Sequence, residues 1–543
     1  LLVMFFTASL LDEGWGWPRE YAFAIFGTYT SMVYLSTLLG GYISDRKIGF
    51  RYAILIGALL MTLGHACMAL ETEFFIYTGL ILLVFGSGFF KPNMTSIISA
   101  MYASRPEKKD GAYTIFYMGV NAGAFLGILL CGYMGEQVGW SWGFGLAGIF
   151  MLFGLLQFWW AQDIFGSIGL KPKGADQKAS ELGPDEPKLN PFTNFQLGII
   201  ALAAVIGLAW IINDPVAKIS EGTYNLFNFS IAGLEGSSFM ILLALGLFIA
   251  LLVIRLPRYD KITMERMLAV MFFAFITIFF WAIFEQAPSS LTIFARDYTD
   301  RMLEGNSALI FKMVDAAVTI VPLGVITWVL FKLFGKTFVT YKSSNLILGL
   351  SFLIIWAIAL YRLNDKFSQD IAEIDASWFG ILNSLFIITF APLFSRWWES
   401  KYNPNANMKY AIGMFLLGLG MACVAVGASD IPVGAETASV SIIWLILVYF
   451  FHTMGELCIS PVALSYVSKL VPGRMIAMMF GVWYLAVAIG MKLAGVFGEA
   501  SEEIAQTEGL SSFFWMLTLI AISLSIFSAI MYPLIRKLMH GVR

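Results

Sequence analysis

Residues 74–102 read FFIYTGLILLVFGSGFFKPNMTSIISAMY, an apolar run long enough to span a bilayer with a lysine near its middle. Lys91 lies 17 residues after Phe74 and 13 before Ser104, about 25 Å and about 20 Å along a helix rising ~1.5 Å per residue. A lysine side chain snorkels only a few ångströms, so it reaches neither interface from there. A cation at mid-bilayer costs roughly 2.5–3.5 kcal/mol on insertion scales, so it faces a polar cavity or a partner. The stretch reads as one helix of a bundle with a polar interior.

Composition agrees. The 543 residues are 59% hydrophobic, 16% aromatic and 13% charged, with a mean hydropathy of +0.78. Soluble domains carry ~25% charged residues, so the class is an all-α polytopic membrane protein set in a lipid bilayer. A net charge of −2 gives no argument for nucleic acid. Cys67, Cys131, Cys423 and Cys458 all sit in apolar segments and read as small core residues, with no disulfide or metal site. No cofactor is expected. The opening LLVMFFTASL has no methionine at its start and reads as the tail of a span, so no signal peptide is inferred.

Apolar segments fall near 1–10 (partial), 20–43, 52–70, 74–102, 111–134, 142–162, 193–213, 237–255, 264–290, 309–334, 344–361, 377–398, 408–428, 438–460, 473–497 and 510–535, which makes sixteen. Loop charge checks the count, because cytoplasmic loops carry excess Lys and Arg. SDRKIGFR, SRPEKKDG, RLPRYDKITMER, KLFGKTFVTYK, RWWESKYNPNANMK, SKLVPGR and the tail IRKLMHGVR are basic. The alternate loops LDEGWGW, LETE, RLNDKFSQDIAEID and GEASEEIAQTEG are acidic. A miscounted span would invert the alternation, and it never inverts. Both termini are therefore expected in the cytoplasm of a cell whose inner (plasma) membrane holds the chain.

One long polar connector, rich in Pro, Gly and charge, occupies 163–192. It separates an N-terminal helix bundle (1–162) from an inserted hairpin (193–260) and a C-terminal bundle (261–543). The latter contains a second hairpin at about 309–362. Two bundles facing each other imply a binding cavity near the midplane.

Other charges lie inside spans. Lys312 and Asp315 read as an i,i+3 pair close to a helix start, locally neutralised. Lys492 reads as snorkelling toward the acidic loop after it. Glu285 and Glu456 have no basic neighbours in sequence and read, with Lys91, as functional groups. His452, one turn before Glu456, reads as a hydrogen-bonded core histidine rather than a proton relay, and His65 as a satisfied core residue.

The chain resembles the proton-coupled oligopeptide transporter family of the major facilitator superfamily. GGYISDRKIG (40–49) resembles its loop between helices 2 and 3, GSGFFKPN (86–93) helix 4, and DGAYTIFYMGVNAGAF (110–125) helix 5. FWAIFEQ (280–286) resembles helix 7, WFGILNSLFIITFAP (378–392) helix 8, GELCISPVALS (455–465) helix 10 and VWYLAVAIG (482–490) helix 11. The resemblance implies a major facilitator fold of two six-helix bundles plus inserted hairpins, importing di- and tripeptides with protons by alternating access, functional as a monomer. It implies that Lys91 meets the peptide carboxylate, and that Asn383 and Glu456 receive its amino group with Ser460 nearby. Tyr34 and Asn121 would be polar wall residues, Trp281 and Trp483 would line side-chain pockets, and Glu285 would serve gating and proton coupling beside Lys91 and Glu456. Asp45 would belong to the cytoplasmic gate.

Two features depart from the family pattern. The helix 1 motif E-x-x-E-R-F does not occur, and LLVMFF resembles the segment that lies just beyond that motif in the family. The pair 309–334 and 344–361 is an addition to the family's usual inserted pair, here 193–213 and 237–255.

A short peptide is a zwitterion, and a cation on one bundle facing a carboxylate on the other supplies each end with an opposite charge. Nitrate or another anion would need fewer carboxylates, and a drug-type facilitator has no use for the Lys–Glu pair. An enzyme would need a nucleophile, a metal cluster or a clustered acid/base set, and the sequence offers three histidines and no H-E-x-x-H.

Overall fold

The computed structural model describes residues 1–105, 108–171, 190–471 and 476–542, with the backbone alone for 109–110, 461–465, 468 and 476–478. Most of the connector expected at 163–192 lies outside the described residues. The short helix α1 (Leu2–Thr7) precedes α2 (Arg19–Ile43), α3 (Phe50–Met68), α4 (Glu73–Met101), α5 (Lys109–Tyr133) and α6 (Trp140–Trp160). Then come α7 (Asn194–Ile219), α8 (Gly236–Arg255), α9 (Lys261–Phe284), the short α10 (Ser290–Ile293), α11 (Gly305–Thr337) and α12 (Lys342–Ser368). The chain ends with α13 (Ile381–Glu399), α14 (Ala406–Gly427), α15 (Ile443–Leu470), α16 (Ile476–Thr507), α17 (Leu510–Ile530) and α18 (Tyr532–Leu538). Among the described residues 15 helices are long and apolar enough to cross a membrane. The remaining segment of the sequence reading, the partial one, corresponds to α1.

Among the described residues, two-residue strands occur only in loops. β1 (Ser230–Ile231) pairs with β2 (Leu234–Glu235) at the tip between α7 and α8. β3 (Met302–Leu303) pairs with β4 (Ala372–Glu373), tying the entry of the α11–α12 hairpin to its exit.

In lipid, packing helices gains nothing from the hydrophobic effect, so close backbone approach at small residues supplies the cohesion. A Cβ on Gly27 of α2 would come 2.8 Å from the Gly495 Cα of α16, and one on Gly40 would come 2.1 Å from the Gly88 carbonyl of α4. That carbonyl has no donor four residues on, because Pro92 lacks an N–H. α2 against α16 and α5 against α13 are the two principal seams between the N-terminal and C-terminal helices. The hairpins dock mainly through α7 on α2 and through α12 on α6, with α11 also touching Trp378. Their other faces are apolar and exposed, as lipid requires.

Several boundaries differ from the sequence reading, those of α9 and α16 beside the interior space among them. α9 stops at Phe284 rather than reaching 290. Pro288 cannot continue the hydrogen-bond ladder, and the buried Gln286 holds the break. Its amide donates to Ala282 O and Ala494 O at 3.0 Å, and its carbonyl accepts from the Ser290 hydroxyl at 2.6 Å. α16 runs on to Thr507, so most of the acidic loop expected from 498 is helical.

Candidate functional site

Lys91 is exposed although it lies midway along α4, so it faces water-accessible space inside the bundle. Its Nζ sits 5.0 Å from the centroid of the Tyr34 ring on α2, a cation–π contact that partly replaces lost hydration. Among the described residues no carboxylate lies within 4.0 Å of it. Glu285 caps the C-terminus of α9, its amide bonded to Trp281 O at 2.9 Å. The charges of Lys91 and Glu456 both act on it. Glu456, on α15, accepts from the Asn383 amide at 2.9 Å, and the same amide reaches Thr453 Oγ1 at 3.1 Å. Asn383 lies on α13, so two helices crossing near this point fix the carboxylate. Tyr34 and Tyr117 also lie within electrostatic reach of Glu456.

Lys91, Tyr34, Glu285, Glu456 and Asn383 are thus brought to one space. Other candidates are placed differently. Asn121 is buried and its amide donates to Tyr117 O of its own helix at 2.9 Å. Ser460 has a buried hydroxyl with no partner among the described residues. Trp281 is half-buried where α9 meets α16, its Cβ 3.0 Å from where a Gly490 Cβ would stand, while Trp483 is only 4% exposed. Asp45 is exposed, in the wide turn 44–48 that extends α2. Tyr117 and Thr453 were missed in the sequence. Their signal was helical spacing, Tyr117 one turn before Asn121 and Thr453 one turn before Leu457, beside Glu456.

Three readings of charged residues need correction. Lys312 and Asp315 do not pair with each other. Asp315 holds Arg362 at 2.9 Å and accepts from Trp378 Nε1 at 2.7 Å, while Lys312 bonds the Gln369 carbonyl. Lys492 does not snorkel. It is 2% exposed and pairs with Asp214 of α7, with Thr28 Oγ1 at 3.0 Å. Asp214 also holds Lys218 at 2.6 Å, and Lys218 pairs with Glu499. His65 leaves a buried Nδ1 without a partner among the described residues, so it is not the satisfied residue expected; His452 does keep a hydrogen bond to the Leu417 backbone, with only its Nε2 left without a partner among them. The His452 ring stacks on Phe284 at 5.9 Å and makes no hydrogen bond to Glu456 among the described residues.

Away from this space, at the end that carries the acidic loops, the two sets of helices are bolted together. Arg19 of α2 holds Asp297 at 2.8 Å and Glu502 of α16 at 3.4 Å. Glu136 accepts the amides of Ala376 and Ser377 at 2.8 and 2.9 Å, Gln137 donates to Asp375 at 3.0 Å, and Tyr133 to Asp365 at 2.8 Å. With that end closed and Lys91 exposed, the space opens toward the end with the basic loops.

A family model described as the POT family matches residues 51–182 and 349–516. The peptide transporter YePEPT of Yersinia enterocolitica subsp. palearctica is 29% identical over 92% of this chain and 83% of its own length. A di-/tripeptide transporter of Lactococcus lactis subsp. cremoris is 27% identical over 98% of this chain and 90% of its own. Among solved structures, a peptide transporter POT in complex with sulfate superposes with a TM-score of 0.68, at 25% identity, over 99% of this chain and 91% of the other.

Proposed function

Given that this chain belongs to the POT family, we propose that it is a proton-coupled symporter of di- and tripeptides, working by alternating access between a bundle at 1–162 and a bundle at 261–543. The observation that carries the reading is Lys91, without an ion-pair partner among the described residues, facing the same space as the Asn383-held Glu456, opposite charges from opposite sets of helices. A peptide carboxylate docks on Lys91 and its ammonium on Glu456, each exchanging water for an opposite charge in a confined space. Selectivity then lies in the backbone and termini, with Tyr34, Asn121, Ser460, Trp281 and Trp483 as surrounding wall and Asp45 at the gate. Glu285, within reach of both charges, takes the proton. Protonated, it leaves Lys91 free for the peptide; deprotonated, it competes for Lys91, which biases the conformation.

By the positive-inside rule the basic loops face the cytoplasm, with both termini there. The closed acidic end then faces outward, and the conformation is open to the inside of the inner membrane. The test is uptake of a labelled dipeptide into proteoliposomes under an imposed inward proton gradient. Accumulation above the external concentration, abolished by collapsing the gradient and competed by unlabelled di- and tripeptides, is expected. Uptake that tracks sodium and ignores pH, or that never exceeds equilibration, would overturn the reading.

A further inference from the structure

At the basic end, α13, α14 and α15 form a corner whose charge balance is unfinished. Lys409 lies in the first turn of α14, only 7% exposed. The first-turn amides of a helix carry partial positive charge, so a lysine there is at the wrong end of the dipole. Its one polar contact among the described residues is the face of the Trp398 ring, 4.2 Å from Nζ to centroid. No carboxylate among the described residues lies within 4.0 Å, and Glu399, the nearest acid in sequence, is exposed and unpaired among them. Of the groups that act on Lys409 electrostatically, Lys469 repels it, and the other is the thiol of Cys458, a group uncharged at neutral pH when unperturbed.

Asn405 caps the α14 N-terminus by accepting from Met408 N at 3.0 Å, so what the corner lacks is a counter-charge for two neighbouring cations, one of them buried, and an anion bound by charge-assisted hydrogen bonds supplies it. Two observations identify which anion. Trp397 and Trp398 stack at 4.5 Å at the end of α13, the place on a membrane helix where tryptophans sit at headgroup level. Arg396, Lys401 and Lys469 are exposed around the same corner, and basic pockets between helix ends on this face of a membrane hold anionic headgroups.

We propose that this corner is a binding site for the phosphate of an anionic phospholipid, with Lys409 reaching the phosphate from inside, Lys401 and Lys469 flanking it, and the Trp397–Trp398 pair beside the glycerol and upper acyl chain. The site goes beyond the transport reading and does not depend on it, since its ligand comes from the bilayer.

Native mass spectrometry of the whole chain, titrated with phosphatidylglycerol against phosphatidylcholine, tests it. Wild type should retain phosphatidylglycerol preferentially. K409Q should weaken that retention roughly fivefold, about the effect of one cation at a membrane surface, and K409R should restore most of it. K336Q removes an exposed cation at the same end and should change little. Equal losses in K336Q and K409Q would reduce the effect to general surface charge and overturn the site, as would unchanged retention in K409Q. Should K409Q fail to fold, K401Q/K469Q decides: a loss comparable to the K409Q expectation supports the site, and none overturns it. Inorganic phosphate at millimolar concentration should not displace the lipid; displacement would mean that the corner reads free phosphate instead.

Discussion

The closed acidic end and the open midspan cavity use the same residue types in opposite ways. At the acidic end every buried charge among the described residues has a partner: Arg362 is 0% and Asp315 1% exposed, held 2.9 Å apart, and Lys366 holds Asp375 at 2.9 Å. In the cavity, among the described residues, Lys91 has only an aromatic face, and Glu456 only a neutral amide. A paired buried charge is a fixed structural element. An unpaired one beside water is available, and a zwitterionic ligand or a proton completes it. The contrast teaches that partner count, rather than mere presence of charge within a span, separates the transport site from the scaffold.

The largest expected effect comes from removing charge where it is unpaired. Glu285→Gln should drop proton-driven peptide accumulation to background, while counterflow of peptide against peptide, which needs no net proton movement, continues. A variant that still accumulates peptide would move the coupling site elsewhere. Next comes breaking a pair where charge is fixed. Asp315→Asn keeps an acceptor for Trp378 but leaves the buried Arg362 with only Asp375, 3.9 Å away and shared with Lys366, as counter-charge among the described residues, so the cost falls somewhat below the about 3–5 kcal/mol of a wholly uncompensated buried charge. Thermal unfolding in detergent should fall by several degrees, and the double replacement Asp315→Leu/Arg362→Met should recover most of it. If the single variant melts like wild type, the Asp315–Arg362 cluster is not a fixed element of the scaffold.

Much of this was legible in the sequence, and the failures share one cause. Lys91, Glu285 and Glu456 announced themselves because a charge inside an apolar run is visible along the chain. Partners are not visible that way. Sequence spacing pairs Asp315 with Lys312, three residues away, yet its partner Arg362 is 47 residues off. Arg362 looked like a loop residue, and α12 in fact continues past it to Ser368. The acidic loop after Lys492 predicts that it reaches outward, but Asp214, 278 residues away on the inserted hairpin, meets it inside the bundle. Helix spans are set by local hydropathy; ion pairs are set by which helices cross, and nothing local encodes that.

Glu456→Gln should sharpen the contrast within the cavity. Removing one member of a desolvated charge pair costs about 2–5 kcal/mol. Competition by free-amine dipeptides should therefore weaken far more than competition by N-acetylated ones. Asn383 would keep the replaced side chain in position, so a general collapse of the site would not mimic the result. Equal losses for both ligand types would show that the carboxylate does not read the amine.

The smallest effect tests whether the acidic end is a lock or a permanent weld. Arg19 opens α2, where a cation is disfavoured by the helix dipole, and Asp297 and Glu502 from the other set of helices offset that cost. The Tyr298 hydroxyl adds a hydrogen bond at 3.1 Å. Yet the three charged side chains are 21%, 15% and 30% exposed, so water and salt screen them and the set contributes about 1 kcal/mol. Arg19→Gln should then raise the population open at the acidic end by about fivefold without unfolding the protein. Spin labels at Glu13 and Glu436, on a background with the four native cysteines replaced, read this as a longer component in the distance distribution. Arg19→Lys should fall between the two, because an ammonium cannot fork to both carboxylates as a guanidinium does. High salt should shrink the difference between wild type and Arg19→Gln. An unchanged distribution in Arg19→Gln would mean that the half-buried contacts of Glu136 and Gln137 hold this end alone, and that the Arg19 set is bystander to the conformational exchange.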